Sequence, residues 1–173
     1  GAAILTGPAH ETLVARLSDE DMEKIWDDER RVVRMLTPNF SFTCTETLVH
    51  GCEAPTEVAV LRFVARKPEM PRRDFLAGWN GANAEQAVAA AEASATVRRY
   101  VQNELVRDPP PRFAFDAISE TWFDSVEDAV RSFGVCAPAS GEEAIADPAR
   151  SVTMLSYVVF KFPRDGAGAN GGR

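Results

Sequence analysis

The residues best suited to chemistry include a tyrosine and a glutamate in the segment 97–106, which is predicted to be a strand. Tyr100, Gln102 and Glu104 lie at alternate positions and therefore share one face of that strand. A glutamate in a partly apolar cleft has its pKa raised by desolvation and can act as general acid or base. A tyrosine hydroxyl can hydrogen-bond an enolate or a carbonyl oxygen. Tyr100 and Glu104 are therefore catalytic candidates. The alternatives are a core tyrosine and an exposed glutamate paired with Arg98 or Arg112.

A second segment with residues suited to catalysis is FSFTCTETLVHG at 40–51, in which two sets of side chains alternate along the chain. Its pattern predicts a strand whose otherwise apolar face carries Glu46 and His50, together with Cys44. Burial would oblige the two polar side chains to find partners, so both are catalytic candidates. They lie roughly 13 Å apart along a strand, too far for a direct bond but close enough to face one pocket. The alternative is that both reach solvent. Cys44 is interpreted as a small core residue.

Five further residues are candidates for substrate binding. The amides of Asn83 and Asn103 can orient a carbonyl group or a water, although capping and turn formation are alternative roles. Asp116 lies among aromatic and apolar residues, where a structural role is the stronger interpretation. Trp79 is the largest apolar residue of its predicted helix, and Trp122 shares the predicted face of Asp116. No Gly-rich phosphate loop, Ser-His-Asp order or metal-binding motif occurs, so we expect no metal site.

The elements that must position these residues follow from periodicity and capping. Ser18 and Ser125 begin predicted helices, each with an aspartate three residues later. Pro71 begins a third helix, expected to break near Gly81 and to continue through an alanine-rich stretch. A short helix is predicted at 142–146. The predicted strands lie at 40–51, 58–68, 97–106, 112–123 and 152–162.

From residue 58 onward the predicted order is strand, helix, strand, strand, helix, strand. This is the split βαβ order of an α+β, ferredoxin-like fold, an antiparallel sheet with helices on one face. The bare face is expected to pair with a second sheet, in a homodimer or an internal repeat. We expect three parts: a helix–strand segment at 1–55, the main domain at 56–163 and a disordered tail at 164–173. The similarity of EKIWDDERRVV to EAIADPARSVT either marks the first part as a partial repeat or arises by chance.

Composition limits the partners. The 173 residues carry a net charge of −7, which disfavours nucleic acids and anionic membranes. No apolar run approaches the length needed to span a bilayer, and no signal-peptide pattern opens the chain. The three cysteines are widely spaced and suggest neither a disulfide framework nor a metal site, so a reducing cytoplasm is the expected setting.

Across 58–162 the chain resembles the EthD family of dimeric α/β-barrel proteins. The similarity rests on the segments LRFVARKP, RRDFLAGW, RRYVQNE, ETWFDS and DPARSV. It implies a pocket between the sheet and its helices. It also implies cofactor-independent enzymes such as lactone isomerases, polyketide cyclases and dehydratases, alongside uncharacterised accessory proteins.

The chain departs from that family where histidines are usual. The family commonly has His-Trp at the helix start, whereas this chain has Gly78-Trp79. Asn83 and Glu104 stand at two further positions where the family often has histidine. A mechanism that depends on those imidazoles therefore does not carry over.

We expect a cofactor-independent small-molecule enzyme, a lyase, cyclase or isomerase. It would cyclise, dehydrate or isomerise a carbonyl-rich, polyketide-like substrate by general acid–base chemistry. One alternative is a non-catalytic ligand-binding or accessory protein that kept the pocket. Another is a cofactor-free monooxygenase of the same barrel superfamily.

Overall fold

The computed structural model describes residues 18–32, 42–51, 56–106, 108–109, 115–132 and 140–157. The helices are α1 (Asp19–Val32), α2 (Arg72–Gly78), α3 (Ala84–Ala93), α4 (Val126–Arg131) and α5 (Ser140–Ile145). The strands are β1 (Cys44–Gly51), β2 (Val58–Val64), β3 (Arg99–Leu105), β4 (Ala117–Phe123) and β5 (Val152–Tyr157). The expectations for the tail at 164–173, for Arg112 and for two of the cysteines, Cys52 and Cys136, fall outside the described residues.

The five strands form one antiparallel sheet in the order β1-β3-β4-β2-β5. If β1 is set aside, the main domain has four strands, β2 to β5, and their order across the sheet is β5-β2-β4-β3. Numbered within the domain, this order is 4-1-3-2. That arrangement is the ferredoxin-like topology, so the predicted α+β fold is confirmed. The strand of the amino-terminal segment joins the same sheet by pairing with β3 at its edge. The suggestion of an internal repeat stays a prediction.

One face of the sheet is covered by helices, and its core has two separate apolar clusters. The first joins strand residues of β2 and β4 to Ala91 of α3 and Ala129 of α4. The second joins Val64 and Ala117 to a larger group from the helical side: Phe75, Trp79, Ile145 and Ala146. The face of β4 that carries Ala117 is therefore the helix-covered face.

Helix α2 passes into α3 through one wider, π-type turn, Trp79–Asn83. Gly81 has non-helical angles there (φ −97, ψ −109), which confirms the predicted break. The turn matters because such wider turns change which side chains a helix presents to its neighbours. Here it leaves both Trp79 and Asn83 buried beneath the helices.

The two predicted serine caps are present. Ser18 Oγ accepts a hydrogen bond from the backbone N–H of Asp21 at 3.1 Å, and Ser125 Oγ accepts one from Asp128 at 3.1 Å. Both helices thus begin where the capping pattern placed them.

Two predicted faces need correction. Leu48 pairs with Val101, but a register shift follows and His50 pairs with Tyr100. Because adjacent residues of β3 point to opposite faces, the expectation that Glu46 and His50 share a face is wrong. Alternation along the strand predicted at 112–123 would place Phe115 on the same face as Ala117. Phe115 precedes β4 and packs on Phe63, with ring centroids 5.5 Å apart.

Candidate active site

A row of polar residues crosses the helix-covered face between the two apolar clusters. Consecutive strand pairs build it, and its members from β1 to β5 are Thr47, Gln102, Ser119, Arg62 and Thr153. Gln102 and Ser119 at its centre are almost fully buried. Buried polar groups normally have partners, and those at the centre of the row are bonded to other protein groups, so the row is a polar network that crosses an otherwise apolar core.

Tyr100 and His50 lie side by side in the next row. They are register partners across β3 and β1, and both are half-buried. Directly opposed side chains of an antiparallel pair have Cβ atoms about 4.5–5.5 Å apart. Two of the predicted catalytic residues, distant in sequence, are therefore neighbours.

The Tyr100 hydroxyl lies in a buried polar environment. Burial raises its pKa above the ordinary value of 10.0, and the negative charge of Glu142 acts in the same sense. The side chains of Ser119, Gln102 and Asn83 favour the ionised form and oppose the rise. Because burial has the largest effect, the hydroxyl keeps its proton at neutral pH.

Asn83 reaches this hydroxyl from the wider helical turn. It is 2% exposed, and its amide nitrogen Nδ2 has no hydrogen-bond partner of good geometry among the described residues. An unsatisfied buried donor costs roughly 1–3 kcal/mol, so such a group is expected to bind something. Asn83 therefore brings an amide donor to the Tyr100 hydroxyl.

Trp79 positions this turn and forms part of the core. Its side chain is fully buried and stacks on Phe75, with ring centroids 5.9 Å apart. Its backbone carbonyl accepts a hydrogen bond from Gln102 Nε2 at 3.3 Å, which ties the turn to the polar row. Its indole Nε1 also has no hydrogen-bond partner within the described ranges.

An ion pair joins Arg62 of the polar row to Glu142 of α5. Neither residue is among the site residues predicted from the sequence. Arg62 Nε donates to Glu142 Oε1 at 2.6 Å, and Arg62 Nη1 donates to Thr153 Oγ1 at 2.8 Å. The arginine and glutamate side chains are only 12% and 6% exposed. The two residues lie 80 positions apart, and Glu142 marked only the start of a short predicted helix.

Glu104 shares the face of Tyr100, as predicted, and is likewise half-buried. Its carboxylate accepts a hydrogen bond from Asn80 Nδ2 at 2.9 Å. The suggested pairing with Arg98 is wrong, because Arg98 pairs with Asp124 at 2.7 Å. Glu104 thus lies beside the helical turn rather than against the Tyr100 hydroxyl.

The other face of the sheet holds a second polar group around Glu120. This carboxylate is 4% exposed and accepts hydrogen bonds from Asn103 Nδ2 at 2.8 Å and from Trp122 Nε1 at 2.9 Å. Burial raises the pKa of Glu120, while the two donors lower it. Sequence reasoning did not select Glu120. The signal available was a carboxylate alternating with Ile118 and Trp122, inside the ETWFDS segment.

Glu46 belongs to this second group. It accepts a hydrogen bond from Arg99 Nη2 at 2.7 Å and contributes to the raised pKa of Glu120. Cys44 lies near enough to be affected: burial, then the charge of Glu120, raises the pKa of its thiol to about 11. A thiol with that pKa is a poor nucleophile near neutral pH. Cys44 is only partly buried and belongs to neither apolar cluster, so its interpretation as a core residue stays a prediction.

The surroundings of Asp116 agree with a structural role, which was the stronger interpretation from the sequence. It is 4% exposed and accepts hydrogen bonds from the backbone N–H of Arg66, at 3.0 Å, and from the Arg66 guanidinium. Its own N–H donates to the carbonyl of Val64 at 2.7 Å. These bonds join the beginning of β4 to the end of β2.

The predicted site residues thus divide between the two faces. The helix-covered face holds Tyr100, His50, Glu104, Trp79 and Asn83, and the other face holds Glu46, Asn103 and Trp122. In the part of the chain that the structure describes, no group of three or more His, Cys, Asp or Glu residues could hold a metal ion. None of the helices in that part has the length and apolar character needed to cross a membrane.

Comparison with known proteins adds little to this picture. No family model matches the chain, and no curated protein matches it. Among solved structures, the chain is similar to a dimeric protein of unknown function and ferredoxin-like fold from Bacteroides fragilis NCTC 9343. The TM-score is 0.43 and the identity 12%, over 59% of this chain and 96% of the other. These values are too low to support an argument, so the fold assignment rests on the strand order itself.

Proposed function

We propose that this chain is an EthD-like, cofactor-independent enzyme that moves protons on a carbonyl-rich small molecule. The observation that supports this most strongly is the meeting of three groups on the helix-covered face. His50 is the register partner of Tyr100, and the amide of Asn83 interacts with the Tyr100 hydroxyl. A base, a protonated hydroxyl that donates a hydrogen bond and an additional donor are the parts that enolisation requires.

In this proposal His50 removes a proton from a carbon next to a carbonyl group. Imidazole side chains titrate close to neutral pH and are the commonest general bases. Tyr100 and Asn83 donate hydrogen bonds to the oxygen on which negative charge develops. A buried hydroxyl whose pKa is raised remains a donor at neutral pH, and fixed donors in a water-poor site stabilise such charge more strongly than water does.

The surroundings indicate the kind of substrate. The polar row lies between two apolar clusters of the core, so we propose a substrate with a mainly apolar skeleton and oxygens along one edge. A polyketide-like compound is one such molecule. The expectations of a homodimer or internally paired sheets and of a cytoplasmic location belong to the same proposal. The first follows from the bare face of the sheet and the family resemblance, and the second from the cysteine content.

The proposal is tested by hydrogen–deuterium exchange in D2O. A panel of cyclic and linear 1,3-dicarbonyl compounds is incubated with the protein, and exchange is followed by NMR. The native chain is expected to accelerate exchange of at least one compound. His50→Gln and Tyr100→Phe should each slow that exchange by about 10²–10⁴-fold, the usual contribution of general acid–base catalysis. Tyr157→Phe is the matched control, because Tyr157 is 63% exposed on β5.

Other outcomes assign other functions. Binding of a panel compound, measured by calorimetry, without any acceleration of exchange would indicate a binding or accessory protein. Oxygen consumption coupled to turnover would indicate a monooxygenase. Full exchange rates in both His50→Gln and Tyr100→Phe would refute the roles given to these residues.

A further inference from the structure

We propose that Arg62 and Glu142 are positioning residues for this site: their ion pair fixes a negative charge and the helix α5 against Tyr100 and Asn83. This inference rests on the proposed function for its catalytic meaning. Its structural content, however, can be tested without any turnover. The pair lies on the helix-covered face and is not part of the predicted set of site residues.

The geometry of the pair leaves Glu142 little freedom. Two nitrogens of the guanidinium, Nε and Nη2, contact the same carboxylate oxygen at 2.6 and 2.5 Å. Nη1 of Arg62 is anchored on Thr153 of the neighbouring strand. Arg62 also pairs with Ser119, and Ser119 pairs with Gln102, so the arginine is a member of the polar row. The contacts of Arg62 therefore connect the polar row of the sheet to helix α5.

Helix α5 lies directly against the turn that carries Asn83. Gly141 donates its N–H to Gln86 Oε1 of α3 at 2.7 Å. A Cβ atom at Gly141 would lie 3.3 Å from the Cα and the backbone nitrogen of Asn83. At its other end, α5 is tied to the chain after β2, because Lys67 N–H donates to the Ile145 carbonyl at 3.0 Å. Glu142 and Asn83 thus approach Tyr100 from two elements that pack on each other.

A fixed anion at this place has a specific consequence for Tyr100. Among the described residues, the charged and titratable groups on this side of the sheet include His50 on β1, Glu104 on β3, Arg62 on β2 and Glu142 on α5. The charge of Glu142 opposes ionisation of the hydroxyl and so favours its protonated, hydrogen-bond-donating form. Arg62 holds that carboxylate in place. In the proposed reaction, the hydroxyl must be protonated when the substrate arrives.

Ultraviolet titration of the tyrosine tests this inference directly. The chain has only two tyrosines, so Tyr157→Phe leaves Tyr100 as the single titrating phenol. In that background, absorbance at 295 nm is followed against pH, and circular dichroism verifies folding at each pH. Glu142→Gln, which keeps the size of the side chain, is expected to shift the Tyr100 titration to lower pH. Glu143→Gln is the matched control: it removes an exposed charge of the same helix and should leave the titration unchanged.

The outcomes separate this inference from the proposed function. An unchanged titration in Glu142→Gln, or an equal shift in Glu143→Gln, would overturn it. If Glu142→Gln does not fold, the exchanged pair Arg62→Glu with Glu142→Arg is titrated instead. A positive charge beside the hydroxyl must then lower the pH of titration, and no shift would overturn the inference. A shift without any accelerated deuterium exchange would keep the positioning role of the pair and refute the proposed enzyme.

Discussion

His50 of β1 lies directly opposite Tyr100 of β3, on the face of the sheet that the helices cover. The pairing depends on the register shift after Leu48, which moves His50 to the face opposite Glu46. Gly51 follows immediately and has a positive φ of 88°. One irregularity at the end of an edge strand therefore decides whether His50 and Tyr100 lie on the same face of the sheet.

Gly51→Ala is expected to destabilise the protein and to disturb this pairing. An added Cβ atom would lie 2.1 Å from the carbonyl oxygen of Arg98, and the backbone angle itself disfavours a side chain. We expect a loss of about 1–3 kcal/mol in the free energy of unfolding, measured with urea. Gly81→Ala is the control, because no atom lies within 4 Å of its added Cβ. Equal losses in the two variants would contradict the expectation.

Glu120 is expected to make the folded state less stable as the pH rises from acid. Burial raises the pKa of its carboxyl group above the ordinary 4.5, so the folded chain holds this proton after the unfolded chain has released it. The free energy of unfolding therefore falls as pH rises from 4.5 through the folded-state pKa, and the contribution is fully present below 4.5.

Urea unfolding at a series of pH values measures this slope. Glu120→Gln cannot titrate and should flatten the curve in that pH range. Glu104→Gln, on the opposite face and less buried, serves as the control. Parallel curves for the native chain and Glu120→Gln would show that Glu120 is not the group responsible.

Cys44 is expected to resist alkylation in the folded protein. Raising the thiol pKa from 9.0 to about 11 leaves about 100-fold less thiolate near neutral pH. The rate with iodoacetamide at pH 8 should be about 100-fold lower in the native state than in urea, measured by mass spectrometry. Cys52→Ser with Cys136→Ser removes the other thiols. Similar rates in the two states would argue against a buried thiol.

Asp116→Asn is expected to reduce stability without reducing activity. The variant weakens the contacts with Arg66 that join β4 to β2. Because the Arg66 side chain is 33% exposed, solvent screens the pair, and we expect a loss of about 1–3 kcal/mol. Asp124→Asn removes a more exposed pair with Arg98 and should cost less than about 1 kcal/mol. If Asp116→Asn keeps its stability but slows the protein-catalysed deuterium exchange of the substrate, Asp116 is instead a site residue.

Much of the fold could be read from local patterns. Alternation placed Tyr100, Gln102 and Glu104 on one face, because successive side chains of a strand point in opposite directions wherever the strand lies. Serine caps and the order of elements were equally local, and they led to the ferredoxin-like topology. The break at Gly81 was also visible, since glycine interrupts a helical pattern.

The site itself depended on contacts between distant segments. Alternation within β1 could not reveal the register shift that separates His50 from Glu46, because the pairing of two strands is set by both strands and by what covers them. The pairing of Arg62 with Glu142 and the burial of Glu120 likewise depend on which elements pack together. The sequence by itself determined the elements, their order and the facing of residues within each strand. Only the tertiary structure decided which polar side chains meet, because that follows from packing between elements far apart in the chain.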